Sequence, residues 1–345
     1  MTDSPIPVID LHSILATEPT PEQLTPLRTA IEQIGIIQVV NHGVPADLVT
    51  DFHSRIDRIL ALPRTEKATL ASPTGHPHRG WRQWPDDFGR LELERYSIGQ
   101  FDTAEDARAA GLTEEQAQLY DHHNVWPQRD PGLREVAFRY HDEIVALARQ
   151  ILDLYARAIG APAGTFPLGE REHTTFVIND YPTWTYPDTA TEEDKLLLLE
   201  HADGSAVTIL HQQGDYAGLQ GQLPDGSWTP VPIIPGALQV FTGRTLTRWT
   251  DGRLAAGRHR VVSGGTVTRR SSAVFVHPSL DTVVEPLDRF VGPDGPEFEP
   301  LNVWDEVRDR VDQYLQDFGR PEQVAAWRDG RPYVAAIKEQ ASSHS

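Results

Sequence analysis

From about residue 174 to residue 285, apolar and polar residues alternate with a period of two. The runs are short: Thr175 to Asn179, Val207 to Leu210, Leu219 to Leu223, Ala237 to Phe241 and Ser272 to Val276. Gly, Pro and Asp separate them, and Pro224-Asp225-Gly226 is a turn between two of them. Many short strands with regular turns close into a barrel or jelly roll. The flanking segments carry helical spacing instead. Thr20 can cap a helix with Pro21 at its first position, where Leu24, Leu27, Ile31 and Ile34 form one stripe ended by Gly35. Leu48, Phe52, Ile56 and Leu60 mark a second helix. A long helix from about 132 to 159 places Tyr140, Ile144, Leu147, Ile151 and Tyr155 on one face, fit to back a sheet. A last helix is expected near 302–315. Ile6 to Leu11 and Ile36 to Val40 read as short strands, and residues 64–100, rich in Trp, Arg, His and Pro, read as irregular.

Composition narrows the function classes. The 345 residues include no cysteine, which excludes a disulfide framework, a thiolate zinc site, an iron–sulfur cluster and a cysteine nucleophile. The formal charge of −19 is spread along the chain and disfavours nucleic acid as a partner. The N-terminus lacks a signal pattern, and apolar runs such as Leu196 to Leu199 are too short to span a bilayer. A soluble, cytoplasmic protein without a membrane or nucleic-acid partner is expected. Nothing in the pattern specifies an oligomeric state.

The chemistry-bearing residues begin with His201-Ala202-Asp203. In extended chain, residues two apart point the same way, so an imidazole and a carboxylate converge. His259, in Arg258-His259-Arg260-Val261-Val262, is the best third ligand. Two histidines and one carboxylate on one face of an octahedron leave three positions open, as Fe(II) oxygenases require; zinc in a hydrolase could use the same set. Ten residues on, Arg269 and Ser271 share one side of a strand, and a guanidinium fork beside a hydroxyl suits a carboxylate. Trp184 to Pro187, with Tyr186, and Arg79 to Trp84 could line a substrate mouth. His211 and Phe241 are further candidate substrate contacts. Arg244 or Arg248 could meet an anionic group. His42 reads as structural, His122 and His123 as solvated, and His277 lies outside the motif.

The chain resembles the isopenicillin N synthase-like family of 2-oxoglutarate and Fe(II)-dependent oxygenases, over nearly its whole length from Ile6 to about Pro278. Ile6 to Leu11 resembles the family's opening strand and Gly35 to Pro45 its GFFxVxNHGxP segment. Asn124-Val125-Trp126-Pro127 and Asn179-Asp180-Tyr181-Pro182 are similar to its NxWP and NYYP motifs. HADGSAVTIL, GLQGQLPDGSW, IPGALQV, RWTDGR, HRVV and RRSSAVFVHP then follow in family order. The chain departs from the pattern at Phe241-Thr242-Gly243-Arg244, where the family often has Asn-Ile-Gly-Asp, at Leu210-His211-Gln212-Gln213, where it has LLxQD, and at Asp180, where it has Tyr.

The resemblance implies a mainly β fold, a distorted double-stranded β-helix (jelly roll) with flanking helices and the long helix behind it. Residues 1–125 would form a mixed α/β region, 126–285 the Fe(II)/2-oxoglutarate core with its backing helix, and 286–345 a helical segment, all in one structural unit. It implies Fe(II) on His201, Asp203 and His259, with 2-oxoglutarate at Arg269 and Ser271 beside Tyr181 and Asn179. No catalytic residue is called for beyond the ligands. The implied reaction uses O₂ to hydroxylate, desaturate or cyclise a small molecule, with succinate and CO₂ as co-products; a secondary-metabolite or antibiotic intermediate is the expected substrate. Isopenicillin N synthase and aminocyclopropane carboxylate oxidase keep the Arg-x-Ser pair without using 2-oxoglutarate, so an oxidase using O₂ alone is the alternative. A metal-dependent hydrolase or a non-catalytic binding protein on a jelly roll is the reading from another class.

Overall fold

The computed structural model describes residues 4–72, 76, 78–85, 92–120, 123–184, 186–214, 216 and 218–318. In chain order the elements are β1 (Val8–Asp10), α1 (Leu11–Leu15), α2 (Pro21–Gln33), β2 (Ile36–Val40), α3 (Ala46–Leu60), α4 (Arg64–Lys67), β3 (Gly80–Pro85), β4 (Glu92–Gly99), α5 (Ala104–Ala109), α6 (Glu114–Ala117) and α7 (Leu133–Ala158). Then come β5 (Glu172–Tyr181), β6 (Leu196–His201), β7 (Val207–Gln213), β8 (Leu219–Gln222), β9 (Trp228–Pro230), β10 (Leu238–Thr242), α8 (Arg244–Trp249), β11 (His259–Val262), β12 (Arg269–Ser279), β13 (Val283–Val284), β14 (Leu301–Asn302) and α9 (Val303–Phe318).

Two sheets carry the fold. The larger runs β1-β2-β10-β7-β12-β5-β4-β3 and the smaller β6-β11-β8-β9. Alternation along each strand of the larger sheet sorts side chains to two faces. In β10, Leu238 and Val240 join the core under the helices, while Phe241 joins a cluster with Leu197, Leu219 and Val261 of the smaller sheet. In β12, Val274 and Val276 go to the helices and Ala273 to the smaller sheet. The larger sheet is therefore covered on both faces, by helices on one and by the smaller sheet on the other, as in a jelly roll.

Helices α2, α3 and α7 cover the outer face, α7 lying against β7 and β12. Phe52 of α3 stacks on Tyr140 of α7 with ring centroids 4.6 Å apart, and both meet Phe176 of β5. The α2 entry follows its sequence signal: Thr20 and Gln23 form a reciprocal capping box. Gly35 ends it at φ 70°, where a Cβ would sit 2.3 Å from the Ala255 carbonyl oxygen.

The described residues within 64–100 are not irregular: they hold α4 and the antiparallel pair β3–β4, which extends the larger sheet beside β5, while 73–75, 77 and 86–91 lie outside the described residues. The alternation is masked because β4 turns Tyr96 and Ile98 to the helices while Arg95 faces inward. Glu94 adds a polar anchor, accepting from Lys67 at 2.6 Å and Trp81 at 3.0 Å.

Under α3, His53 is buried, with Nδ1 at 2.7 Å from the Val49 carbonyl oxygen and Nε2 at 2.8 Å from Ser272 Oγ. Burial pushes His53 down to about 4 and His211, stacked on it, to about 3. The unfolded chain binds protons near the ordinary 6.5 that the folded chain refuses, so stability is complete above about pH 6.5 and falls as pH drops towards 4. Between about pH 7 and 5, each of these imidazoles should cost roughly 1–2 kcal/mol. Thermal denaturation across that range should show the fall, and it should be smaller in His53→Gln; an unchanged slope would contradict the assignment.

Candidate metal and co-substrate site

Strands β6 and β11 are antiparallel neighbours, and their register sets His259 opposite His201. Asp203 follows in the loop to β7. The three side chains offer ligand atoms that all lie within 4.8 Å of one another. The imidazole centroids are 4.3 Å apart, and His201 Nε2 lies 3.8 Å from Asp203 Oδ1. His201 Nδ1 sits 2.8 Å from the Leu199 carbonyl oxygen and His259 Nδ1 2.9 Å from that of Gly257. A carbonyl oxygen only accepts, so each ring carries its proton on Nδ1 and leaves the Nε2 lone pair for a ligand. Burial, reinforced by neighbouring His201, pushes His259 down to about 4, which keeps it neutral at pH 7. Asp203 Oδ2 is buried without a hydrogen-bond partner. Such an oxygen is costly unless a cation meets it. Two imidazole nitrogens and a carboxylate converging from one side fit a divalent first-row metal with open positions.

The loop carrying Asp203 is pinned by the start of α8. Arg244 N–H donates to the Asp203 carbonyl at 2.7 Å, Gly243 N–H to that of Ala206 at 2.9 Å, and Thr245 Oγ1 to that of Gly204 at 2.8 Å. A Cβ on Gly243 would lie 1.8 Å from the Ser205 carbonyl oxygen, so glycine is required there. The backbone does the pinning, which explains how an arginine can stand at 244. The Arg244 side chain donates to the Ala202 carbonyl at 3.1 Å and approaches Glu306 at 3.6 Å. Phe241 packs against His259, centroids 4.4 Å apart.

The second cluster lies on β12. Its register pairs Arg269 with Tyr181 and Ser271 with Asn179 on β5, and Ser271 with Gln212 on β7. Arg269 is 3% exposed, donates to Ser271 Oγ at 3.2 Å and Gln212 Oε1 at 3.4 Å, and lies over the Tyr181 ring at 5.0 Å. Its Nε has no partner, and among the described residues no carboxylate pairs with it. Burial lowers its pKa. A buried guanidinium so placed is fitted to an anionic ligand. Gly218 gives it room, since a Cβ there would lie 3.2 Å from Arg269 Cδ.

Both clusters line one cavity of about 520 Å³ between the sheets, together with Asn179, Phe241 and Arg244. Three expected contacts are elsewhere. His211 shares a side of β7 with Ile209 and stacks on His53, centroids 4.1 Å apart, facing the helices. Trp184 and Tyr186 pack on each other beyond β5, with Lys195 over the Tyr186 ring. None of the three is among the described residues lining the cavity. Arg248 stacks on Phe298, away from it. Of the 79–84 segment, Arg79 lines the cavity. His122 lies outside the described residues. Sequence reasoning missed Gln212 and Arg95, which holds Asn179 Oδ1 at 2.8 Å; parity with Leu210 marks Gln212 as inward-facing.

Two family models match the chain. The 2OG-Fe(II) oxygenase superfamily matches residues 173–278, and the N-terminal model of non-haem dioxygenases in morphine synthesis matches 6–129. The chain belongs to the 2OG-Fe(II) oxygenase superfamily. It is a 2-oxoglutarate-dependent dioxygenase, an oxidoreductase that uses Fe(II), 2-oxoglutarate and O₂. It is 29% identical to hyoscyamine 6-dioxygenase of Hyoscyamus niger over 318 residues, covering 90% of this chain and 86% of that one. It is also 29% identical to the 2-oxoglutarate-dependent dioxygenase ecdK of Aspergillus rugulosus over 294 residues, 78% and 86% of the two chains. In fold it is similar to the dioxygenase for auxin oxidation of rice, with a TM-score of 0.69, 22% identity, and 97% and 99% of the chains covered. No helix among the described residues of this dioxygenase is long and apolar enough to cross a membrane.

Gly243→Ala should displace the Asp203 loop, lowering stability by about 1–3 kcal/mol. Mn(II) affinity, measured by calorimetry, should fall at least about tenfold, on the order of 1.4 kcal/mol. Unchanged metal affinity would show that the loop tolerates the intrusion.

Proposed function

We propose that His201, Asp203 and His259 hold the Fe(II), and that Arg269 and Ser271 receive the far carboxylate of 2-oxoglutarate against Tyr181, with Asn179 beside them. The observation that carries this reading is Arg269: a buried guanidinium, without a carboxylate partner among the described residues, in the same cavity as the three converging ligands. A hydrolase has no use for that cation, and a degenerate binding module has no need of three intact ligands.

When bound, Fe(II) and 2-oxoglutarate supply O₂-driven oxidation of an unactivated C–H bond, with succinate and CO₂ leaving. The chain does the positioning. The Leu199 and Gly257 carbonyls fix the ligand tautomers, Phe241 buttresses the His259 ring, and the Arg244 and Gly243 amides hold the Asp203 loop. Leu198, Leu219, Val261 and Phe275 give the cavity apolar walls that keep water from the reacting bond. The substrate is a small molecule of a size with the cavity, and hydroxylation of a secondary-metabolite intermediate is the reaction we favour. Relatives named for hyoscyamine and gibberellin oxidation support that choice.

His201→Ala and Asp203→Ala should each reduce substrate-coupled succinate formation from 2-oxoglutarate to background; normal turnover in either would overturn the ligand assignment. Arg269→Met removes an uncompensated buried charge. Its melting temperature without 2-oxoglutarate should equal or exceed that of the parent, while the stabilisation that saturating 2-oxoglutarate gives the Mn(II)-loaded parent should vanish. A retained 2-oxoglutarate-induced shift would place the co-substrate elsewhere.

A further inference from the structure

The inner face of the β5–β12 ladder runs from Arg269–Tyr181 through Val177 and Ala273 to the cross-strand pair His173–His277. His277 lies eight positions along the strand from Arg269, so the two ends stand about 25 Å apart. Between them Asn179 and Ser271 follow the Arg269 end, and Val177, Ala273 and Phe275, with Thr175, continue the wall towards the histidines.

At the far end the two imidazoles lie 5.7 Å apart, His173 8% and His277 4% exposed. His173 Nδ1 is 3.3 Å from the Tyr120 hydroxyl. Among the described residues, the other nitrogen of His173 and both of His277 make no hydrogen bond, although both residues line the cavity. Arg310 reaches this end from α9, which packs on β12. Arg310 Nη2 lies 2.8 Å from Glu306 Oε1, and Arg244 approaches the same carboxylate at 3.6 Å, so two cations share one acid. Arg79 stacks on Tyr120 and donates to the His78 and Leu119 carbonyls.

The charge balance here runs against that of the chain. The protein carries a formal −19, yet among the described lining residues five arginines face two acids, Glu200 and Asp203. Asp203 belongs to the ligand cluster, and Glu200 accepts from Arg258. Burial pushes His173 down to about 3, with Arg79 and Arg310 lowering it further. His277 is lowered well below its ordinary value by burial first, then by Arg310. The imidazoles are thus neutral donors, and the guanidiniums supply the charge.

We infer that His173, His277 and Arg310 form a subsite for a carboxylate on the substrate, whose apolar body lies along Val177, Ala273 and Phe275 towards the metal ligands. This rests on the reading that Arg269 serves the co-substrate, which leaves the second basic pole to the substrate. A carboxylate would give the unpartnered imidazole nitrogens an acceptor and Arg310 a second counter-charge.

The test uses full-length protein loaded with Mn(II), which is titrated calorimetrically with 2-oxoglutarate and, once saturated, with phenylacetate, 4-phenylbutyrate and hexanoate, each against its neutral amide. At least one acid should bind roughly tenfold or more tighter than its amide. That preference should fall to within about threefold in Arg310→Gln and His277→Asn, with 2-oxoglutarate affinity unchanged as the check that both variants are folded. Equal binding of acid and amide, a preference that survives both substitutions, or no acid binding up to about 10 mM would overturn the subsite. Failure of 2-oxoglutarate itself to bind would overturn the co-substrate reading instead. The acid–amide comparison is then read on the protein without it, where loss of preference in Arg310→Gln but not in Arg269→Met still supports the subsite.

Discussion

The register of β12 between β5 and β7 is the constraint on which the rest depends. A strand has only two faces, and a slip of one residue would exchange them. In the observed register Arg269, Ser271 and Ala273 face the smaller sheet, while Ser272, Val274 and Val276 face α3 and α7. The apolar half of that alternation is anchored by the helices: Phe52, Tyr140 and Phe176 stack in the same core as Val274. Packing on one face of the sheet thereby fixes chemistry on the other. The register also brings Tyr181 and Asn179 opposite Arg269 and Ser271, so residues from two distant stretches of sequence share one wall without any loop having to place them.

A second consequence concerns charge. A fold that buries both faces of its main sheet excludes unpaired ions from the interior unless something compensates them. Here Asp203 Oδ2 and Arg269 Nε are buried and unpartnered. One asks for a cation and the other for an anion, and on the proposed assignment the metal and the co-substrate would supply those charges.

Much of this was legible from residue parity. His201 and Asp203 are two apart, as are Arg269 and Ser271, and the apolar stripes of α2, α3 and α7 fall where spacing puts them. His259 was harder, because its opposition to His201 is set by the β6–β11 pairing rather than by local sequence. The β3–β4 pair is hard to read because Arg95 stands at an inward position of β4 and Glu94 at an outward one, which breaks the alternation that announces a strand. His211 shares a side with Val207 and Ile209, whereas Gln212 shares one with Leu210, so parity sends the first to the helices and the second to the inner face. Trp184 and Tyr186 stand in a segment without periodicity, and nothing in such a segment says which way a ring turns.

The most direct test of the account is an anaerobic visible spectrum of the metal-free protein with Fe(II), recorded before and after 2-oxoglutarate is added to the parent chain and to Arg269→Met. The account predicts a weak metal-to-ligand charge-transfer band on addition to the parent, and a band that needs far more 2-oxoglutarate in the variant. Iron bound without any band would contradict the joint site and favour an oxidase that uses O₂ without 2-oxoglutarate. Failure to bind iron would contradict the His201–Asp203–His259 assignment itself.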